Sequence, residues 1–272
     1  TASLPRPGGQ GSLQNGRGRD APPASRLNAQ LTAVCLALLV FGLGGNILTI
    51  VVTSCSRQLR NTTSLYLASL AVSDLLLLLL GLPLDLYRLW QSRPWVLGTV
   101  VCRVWHWSGE ACAYCSILHL TALTAERYVA ICYPLRAKVL VTEQRVKALL
   151  VVLWAVALFS AAPFLFLVGV QQAGKDDFTR ECVPTIYARE TGMLDTMLWV
   201  TTSYFVLPCL CLYVLHGLIA RQLLRVSRAH LGGTSYRNHR QTVRMLGQSL
   251  LIQWAYCSVI YCTKQQDFVH CL

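Results

Sequence analysis

Charge is what this sequence has least of. Only 13% of its 272 residues are charged, against about 25% in an average soluble domain. Acidic residues are scarcer still, 12 against 24 Lys and Arg. The length would allow one or two soluble domains, but so few charges suit a chain whose solvent is mostly lipid. A His-rich metal cluster, a Ser/His/Asp arrangement and a phosphate-binding glycine loop are all missing, so neither an enzyme nor a cofactor is indicated. No inverted repeat of the transporter kind is visible. No cleavable signal peptide precedes the first apolar run, and the one Asn-x-Ser/Thr sequon is Asn61-Thr62-Thr63.

Apolar residues, by contrast, make up 54% of the chain, and they come in long runs. Five runs reach the length of about 20 residues that a bilayer requires: Leu31–Thr53, Leu65–Leu89, Val101–Cys132, Ala148–Val170 and Thr196–Ile219. A sixth, Val243–Cys262, is interrupted by Arg244, Gln248 and Gln253, and there is no seventh. The expected fold is therefore an all-α membrane bundle with five clear spans. Residues 1–28, rich in Gly, Pro, Ser and Arg, read as a disordered tail. Residues 29–224 carry the five helices, 225–246 an inner loop with the start of a further helix, and 247–272 a tail of different character.

The net charge of +12 raises the question of nucleic acid, which the placement of the cations answers. They cluster between apolar runs, at Arg57 and Arg60, from Arg127 to Lys147 and from Arg221 to Arg244, as cytoplasmic loops do. That asymmetry puts the N-terminus outside, with the bilayer and not nucleic acid as the partner. Trp90, Trp95 and Trp199 fall near the outer boundaries, where aromatic belts are expected. Most of the 12 cysteines lie inside apolar runs and read as packing. Cys112-Ala-Tyr-Cys115 has zinc-knuckle spacing but no second pair to complete four ligands. Cys102 and Cys182 both fall on the oxidising side, where a bridge would pin the loop before the fifth run.

An ionisable group inside a membrane helix is costly, so each is a functional candidate. Asp74 lies midway along the second run, where Ser116 of the third could add an oxygen. Glu110 and Glu126-Arg127-Tyr128 occupy opposite ends of the third run, with Glu110 and Arg127 separated by 17 residues, about 25 Å of helix. Such an arrangement suits a protein that senses on one side and reports on the other, and the alternative reading of Glu126-Arg127 is a solvated charge pair at a helix end. Pro83, Pro163 and Pro208 should distort their helices. Gly44 and Gly45 should permit close helix approach, and the amide of Asn46 should bond across helices.

Taken together and in order, Gly45-Asn46, Leu70-Ala-Val-Ser-Asp74, Glu126-Arg127-Tyr128, Trp154 and Pro208 resemble the signature of rhodopsin-class G-protein-coupled receptors. Within that class, Asp85-Leu-Tyr-Arg-Leu-Trp90, Ser92-Arg-Pro-Trp95 and Pro134-Leu-Arg-Ala137 resemble the motilin and ghrelin receptor group. His119 and Pro163-Phe-Leu-Phe-Leu-Val-Gly-Val170 look closer to its motilin side, the short Gln171–Cys182 loop to its ghrelin side. The resemblance implies a gut-peptide receptor of the plasma membrane, coupled through a Gq-type G protein to calcium. It implies that Glu110, Asp85 and Arg88 line the peptide pocket. Asp74, Ser116 and Asn46 would form a switch region able to hold an allosteric sodium ion, Glu126, Arg127 and Tyr128 would meet the G protein, and Cys102 and Cys182 would be the family's bridge.

The sequence also departs from the pattern. The interval from Asp74 to Asp85 is one residue longer than in the family, which would rotate Asp85 by about 100° unless a bulge absorbs it. His216 stands where the family has a tyrosine. The likeness stops after His239-Arg-Gln-Thr-Val-Arg-Met-Leu246, and neither Cys-Trp-Leu-Pro nor Asn-Pro-x-x-Tyr appears beyond it. Gly247–Leu272 reads as a translated intron, an alternative exon or a gene-model error. A truncated chain of that kind would be a non-signalling partner of the full-length receptor, retained in the endoplasmic reticulum.

Overall fold

The computed structural model describes residues 23–55, 61–91, 94–172 and 180–229. The expectations for residues 1–22, for Arg57 and Arg60, for 230–246, for Val243–Cys262 and for Gly247–Leu272 lie outside the described residues. Those described form a helical bundle with one short hairpin. Helix α1 spans Pro23–Cys55, and α2 spans Thr62–Leu76 and continues through a π-helical turn, Leu77–Gly81, into α3, Leu82–Trp90. Helix α4 spans Gly98–Cys132, α5 Pro134–Leu140, α6 Glu143–Ala161 and α7 Phe164–Leu167. Strands β1, Val168–Gln172, and β2, Arg180–Pro184, pair antiparallel with Val170 opposite Cys182. Helices α8, Ile186–Glu190, and α9, Met193–Ala229, complete the described chain.

Local chemistry accounts for most of these boundaries. The Asn61 side chain accepts the Ser64 amide at 2.9 Å, and the Ser64 hydroxyl accepts the Asn61 amide at 3.2 Å. This reciprocal box satisfies donors that a helix start leaves orphaned. Pro134 opens α5, where a missing N–H costs nothing. Pro163 comes just after the end of α6, and Val168–Val170, expected to close the fourth span, are strand instead. Pro208 sits inside α9. On α1 the hydroxyls of Thr32, Thr49 and Thr53 donate to carbonyls one turn back, satisfying themselves within one helix.

The number of spans is corrected by the structure. Among the described residues four helical stretches are long and apolar enough to cross a membrane: Leu27–Cys55, Thr62–Trp90, Glu143–Leu167 and Met193–Arg225. The expectation of five clear spans and a weak sixth is not met. Helix α4 has the length, at 35 residues, but not the apolarity. Its middle carries His106, Ser108, Glu110, Tyr114, Ser116, His119, Thr121 and Thr124. The reason lies in the packing: α4 runs through the middle of the bundle, touching α2, the π turn, α5, α6, α7, α9 and β1. A helix covered by other helices presents much of its surface to protein, where polar groups find partners.

Two further expectations shift for reasons of packing. Close approach falls at Gly42, where a Cβ would come within 2.6 Å of the Leu78 side chain, and not at Gly44 or Gly45, which face open space among the described residues. Trp95 is 3% exposed, so it fills the core at the disulfide end, while Trp90 and Trp199 are exposed. The π turn falls inside the run that holds the extra apolar residue between Asp74 and Asp85. A single π turn accommodates one inserted residue without rotating the downstream helix.

Deleting one residue from that turn, Leu79, should therefore restore plain α-helix and leave the thermal midpoint of the solubilised protein within a few degrees of its parent. Deleting Leu67 from the α-helical part of α2 should instead rotate the upstream segment by about 100° and abolish the folded species. Equal losses from the two deletions would rule out the turn as the absorbing element.

Candidate functional site

At one end of the bundle the hairpin is tied to α4. Cys102 and Cys182 form a disulfide with Cα atoms 5.7 Å apart. Val168 and Val170 lie on the strand facing β2, and the Arg103 Nε donates to the Val168 carbonyl at 3.3 Å. The Trp95 amide donates to the Arg180 carbonyl at 2.8 Å, which stitches the α3–α4 loop to the same hairpin. Trp95 stacks on Trp105 with centroids 5.8 Å apart, Tyr87 meets Trp95 edge-on, and the Arg88 guanidinium lies 5.7 Å from the Trp105 ring. An open cleft of about 490 Å³ lies beside this cluster, lined by Trp95, Val96, Thr99, Val170 and Arg180 among others. Asp85 is exposed and Arg88 half-buried, both on α3.

One face of α4 leads from this end into the interior. Arg103, His106, Glu110 and Tyr114 recur at helical spacing. Glu110 is 4% exposed, and its Oε2 accepts from the Thr201 hydroxyl of α9 at 3.5 Å. Tyr114 and Thr201 share a hydrogen bond of 2.7 Å between their hydroxyls. The Tyr114 ring stacks on Tyr204, at 4.3 Å and 15°, and the Tyr204 hydroxyl bonds the Ser160 hydroxyl of α6 at 2.5 Å.

Deeper in the bundle two polar clusters join α2 to α4. The Ser116 hydroxyl donates to Asp74 Oδ1 at 2.8 Å, and the Ser73 hydroxyl lies 2.9 Å from that of Ser116. Asp74, Ser116 and Ser73 thus collect a carboxylate and two hydroxyl oxygens, the hard donors that an alkali cation takes. Asn46 is not brought to this group; its amide donates to the Gly42 carbonyl of its own helix at 2.9 Å. No set of three or more His, Cys, Asp or Glu among the described residues could hold a metal ion. The second cluster is built on His119, 1% exposed. Its Nε2 lies 2.9 Å from the Ser69 hydroxyl, which also accepts from the Trp154 indole at 3.0 Å, and its Nδ1 lies 2.7 Å from the Cys115 carbonyl.

At the far end of α4, Glu126 Oε1 accepts from the Thr62 hydroxyl at 2.5 Å. Among the described residues it makes no ion pair with Arg127, which is exposed, while Tyr128 packs edge-on against Tyr133. His216 is buried on α9, its Nδ1 2.7 Å from the Leu212 carbonyl. Sequence reasoning missed Tyr114, Thr201, Tyr204, Ser160 and Ser69. Tyr114 alone left a sign, one helical turn beyond Glu110 on the same face.

The described helices thus form a polytopic bundle with carboxylates at two depths of its central helix, Glu110 and Glu126, and a disulfide-pinned hairpin over one end. The chain belongs to the 7 transmembrane receptor (rhodopsin) family, whose model matches residues 45–265. It is closely related to two receptor types of similar standing. It is 48% identical to the Homo sapiens motilin receptor over 263 residues, covering 79% of this chain and 63% of that protein. It is 51% identical to the Homo sapiens growth hormone secretagogue receptor type 1 over 225 residues, covering 81% and 61%. The Mus musculus neurotensin receptor type 1 is more distant, at 34% identity over 232 residues, covering 78% and 54%. The chain spans less than two thirds of the length of each.

Ser69 is the single oxygen between a buried imidazole and a half-buried indole, so Ser69→Ala would strand both. A cost of about 1–3 kcal/mol is expected for each polar group left unsatisfied. It should appear as a lower thermal midpoint of the purified protein. Ser69→Thr, which keeps the hydroxyl, should recover most of the loss, and a Ser69→Ala protein as stable as its parent would remove the cluster from the stabilising contacts.

Proposed function

We propose that this chain is a receptor for a gut peptide hormone of the motilin or ghrelin type, acting through a Gq-type G protein on cytosolic calcium. The observation that carries the reading is the similar identity, near one half, to the motilin and growth hormone secretagogue receptors. In this reading the disulfide end faces outward, with the N-terminus of the chain on the same side at the plasma membrane. Glu110 anchors a cationic group of the peptide, because a buried carboxylate gains most from an N–H donor that carries charge. Asp85 and Arg88 line the entrance beside the Trp105 ring.

Asp74 and Ser116, with Ser73, hold an allosteric sodium ion that favours the unliganded arrangement. Arg127, exposed at the far end of α4 while Glu126 is engaged by Thr62, meets the G protein together with Tyr128. Binding at one end of α4 and release at the other then lie on one rigid helix, about 25 Å apart.

Cells expressing the chain, challenged with motilin and with ghrelin, should show a calcium rise that a Gq-selective inhibitor removes. Glu110→Gln should raise the concentration for half-maximal response tenfold or more, as expected for a lost hydrogen bond to a charged group worth about 1.5–3 kcal/mol. Asp74→Asn should abolish the dependence of peptide affinity on sodium. Silence to micromolar amounts of both peptides, with the protein at the cell surface, would retire this reading.

A further inference from the structure

The surroundings of Glu110 contain a feature that peptide capture alone does not require. Tyr114 and Thr201 stand on different helices, 87 residues apart in sequence, with hydroxyls 2.7 Å from each other. Thr201 also donates to Glu110 Oε2 at 3.5 Å. Each hydroxyl has one proton to give and lone pairs to receive. With the Thr201 proton directed to Glu110, the Tyr114 hydroxyl donates to Thr201, so the chain runs from Tyr114 through Thr201 to the carboxylate.

The other side of Tyr114 is as firmly held. Its ring lies flat on Tyr204, whose hydroxyl bonds Ser160 of α6. Ala157 and Ala161 of α6 are fully buried in the same cluster, so the ring has little room to turn. One tyrosine thus reaches the carboxylate through Thr201 at its hydroxyl and the α4–α6–α9 contact at its ring. The α4–α9 packing would then change whenever Glu110 changes partner.

We propose that Tyr114 and Thr201 are positioning residues for Glu110: their hydroxyls hold the carboxylate in one orientation, and through the Tyr114 ring they couple its occupancy to the packing of α9 and α6. The inference takes Glu110 as the peptide anchor from the reading above, but the orientation it assigns exists in the unliganded chain. That separates the two experimentally.

The test uses the full chain in lipid nanodiscs and two readouts. Infrared difference spectra identify the Glu110 carboxylate band by its loss in Glu110→Gln. Tyr114→Phe and Thr201→Val, each of which keeps shape and removes a hydroxyl, should both shift that band. Tyr204→Phe, which removes only the bond to Ser160, should leave it in place. In binding assays with motilin and ghrelin, Tyr114→Phe should weaken affinity about tenfold with Glu110 present and less than about twofold in the Glu110→Gln background, the non-additivity of a shared interaction. A band unmoved in both Tyr114→Phe and Thr201→Val overturns the proposal, as does an equal loss of affinity in both backgrounds. If the parent chain binds neither peptide while the band still shifts, positioning stands and the peptide reading falls.

Discussion

The structure depends on burying a polar helix. Helix α4 carries two carboxylates, two histidines and a row of hydroxyls through the centre of a bundle whose other long helices are nearly all apolar. A polar group left unsatisfied in such surroundings costs several kcal/mol, so each of these residues dictates something about its neighbours. Asp74 of α2 stands opposite Ser116, Ser69 opposite His119, Thr201 of α9 opposite Glu110, and Thr62 opposite Glu126. The neighbouring helices are thus specified at separate levels by polar pairs. Between lipid-facing apolar helices no hydrophobic driving force of comparable strength acts.

That constraint explains why register matters so much in α2. Its hydroxyls and carboxylate must meet α4 at Thr62, Ser69 and Ser73–Asp74, while its continuation α3 must bring Tyr87 and Arg88 to the Trp95–Trp105 stack. An added residue between the two sets would bring one of them out of phase. The π turn at Leu77–Gly81 stands between them, where the side chains are leucines without directional bonds and a widened turn breaks no polar contact. Gly42 of α1 approaches Leu78 at the same level, so the bulge is packed rather than loose.

The same division separates the features legible in the sequence from those that were not. Asp74 with Ser116, and Cys102 with Cys182, were legible because a carboxylate in an apolar run and a pair of cysteines at one end each demand a partner. The added residue before Asp85 was legible from its interval to Asp74, but whether a rotation or a bulge would follow was decided only by the π turn. The number of apolar spans was not: length suggested a fifth in Val101–Cys132, but polarity hidden against other helices does not show in a tally of run lengths. The role of Asn46 was misjudged because an amide can turn to its own helix, at Gly42, as readily as to a neighbour. Thr201 was invisible because a threonine in an apolar helix reads as packing, and Tyr114, one turn from Glu110, gave a sign that only the fold completes.

The polar pairs differ in how tightly they are held, and this bears on which can move. Trp154, Ser69 and His119 close on one another, each satisfying the next, so changing that cluster means losing several bonds at once. It acts as a fixed point joining α2, α4 and α6. The two carboxylates of α4 differ from that cluster and from each other. Glu110 meets Thr201 of α9 at 3.5 Å, the long limit of a hydrogen bond, whereas Glu126 accepts from the Thr62 hydroxyl of α2 at 2.5 Å. The centre of α4 is thus locked to α2 and α6 by several bonds at once, while its register against α9 near Glu110 rests on the chain that Thr201 closes with Tyr114.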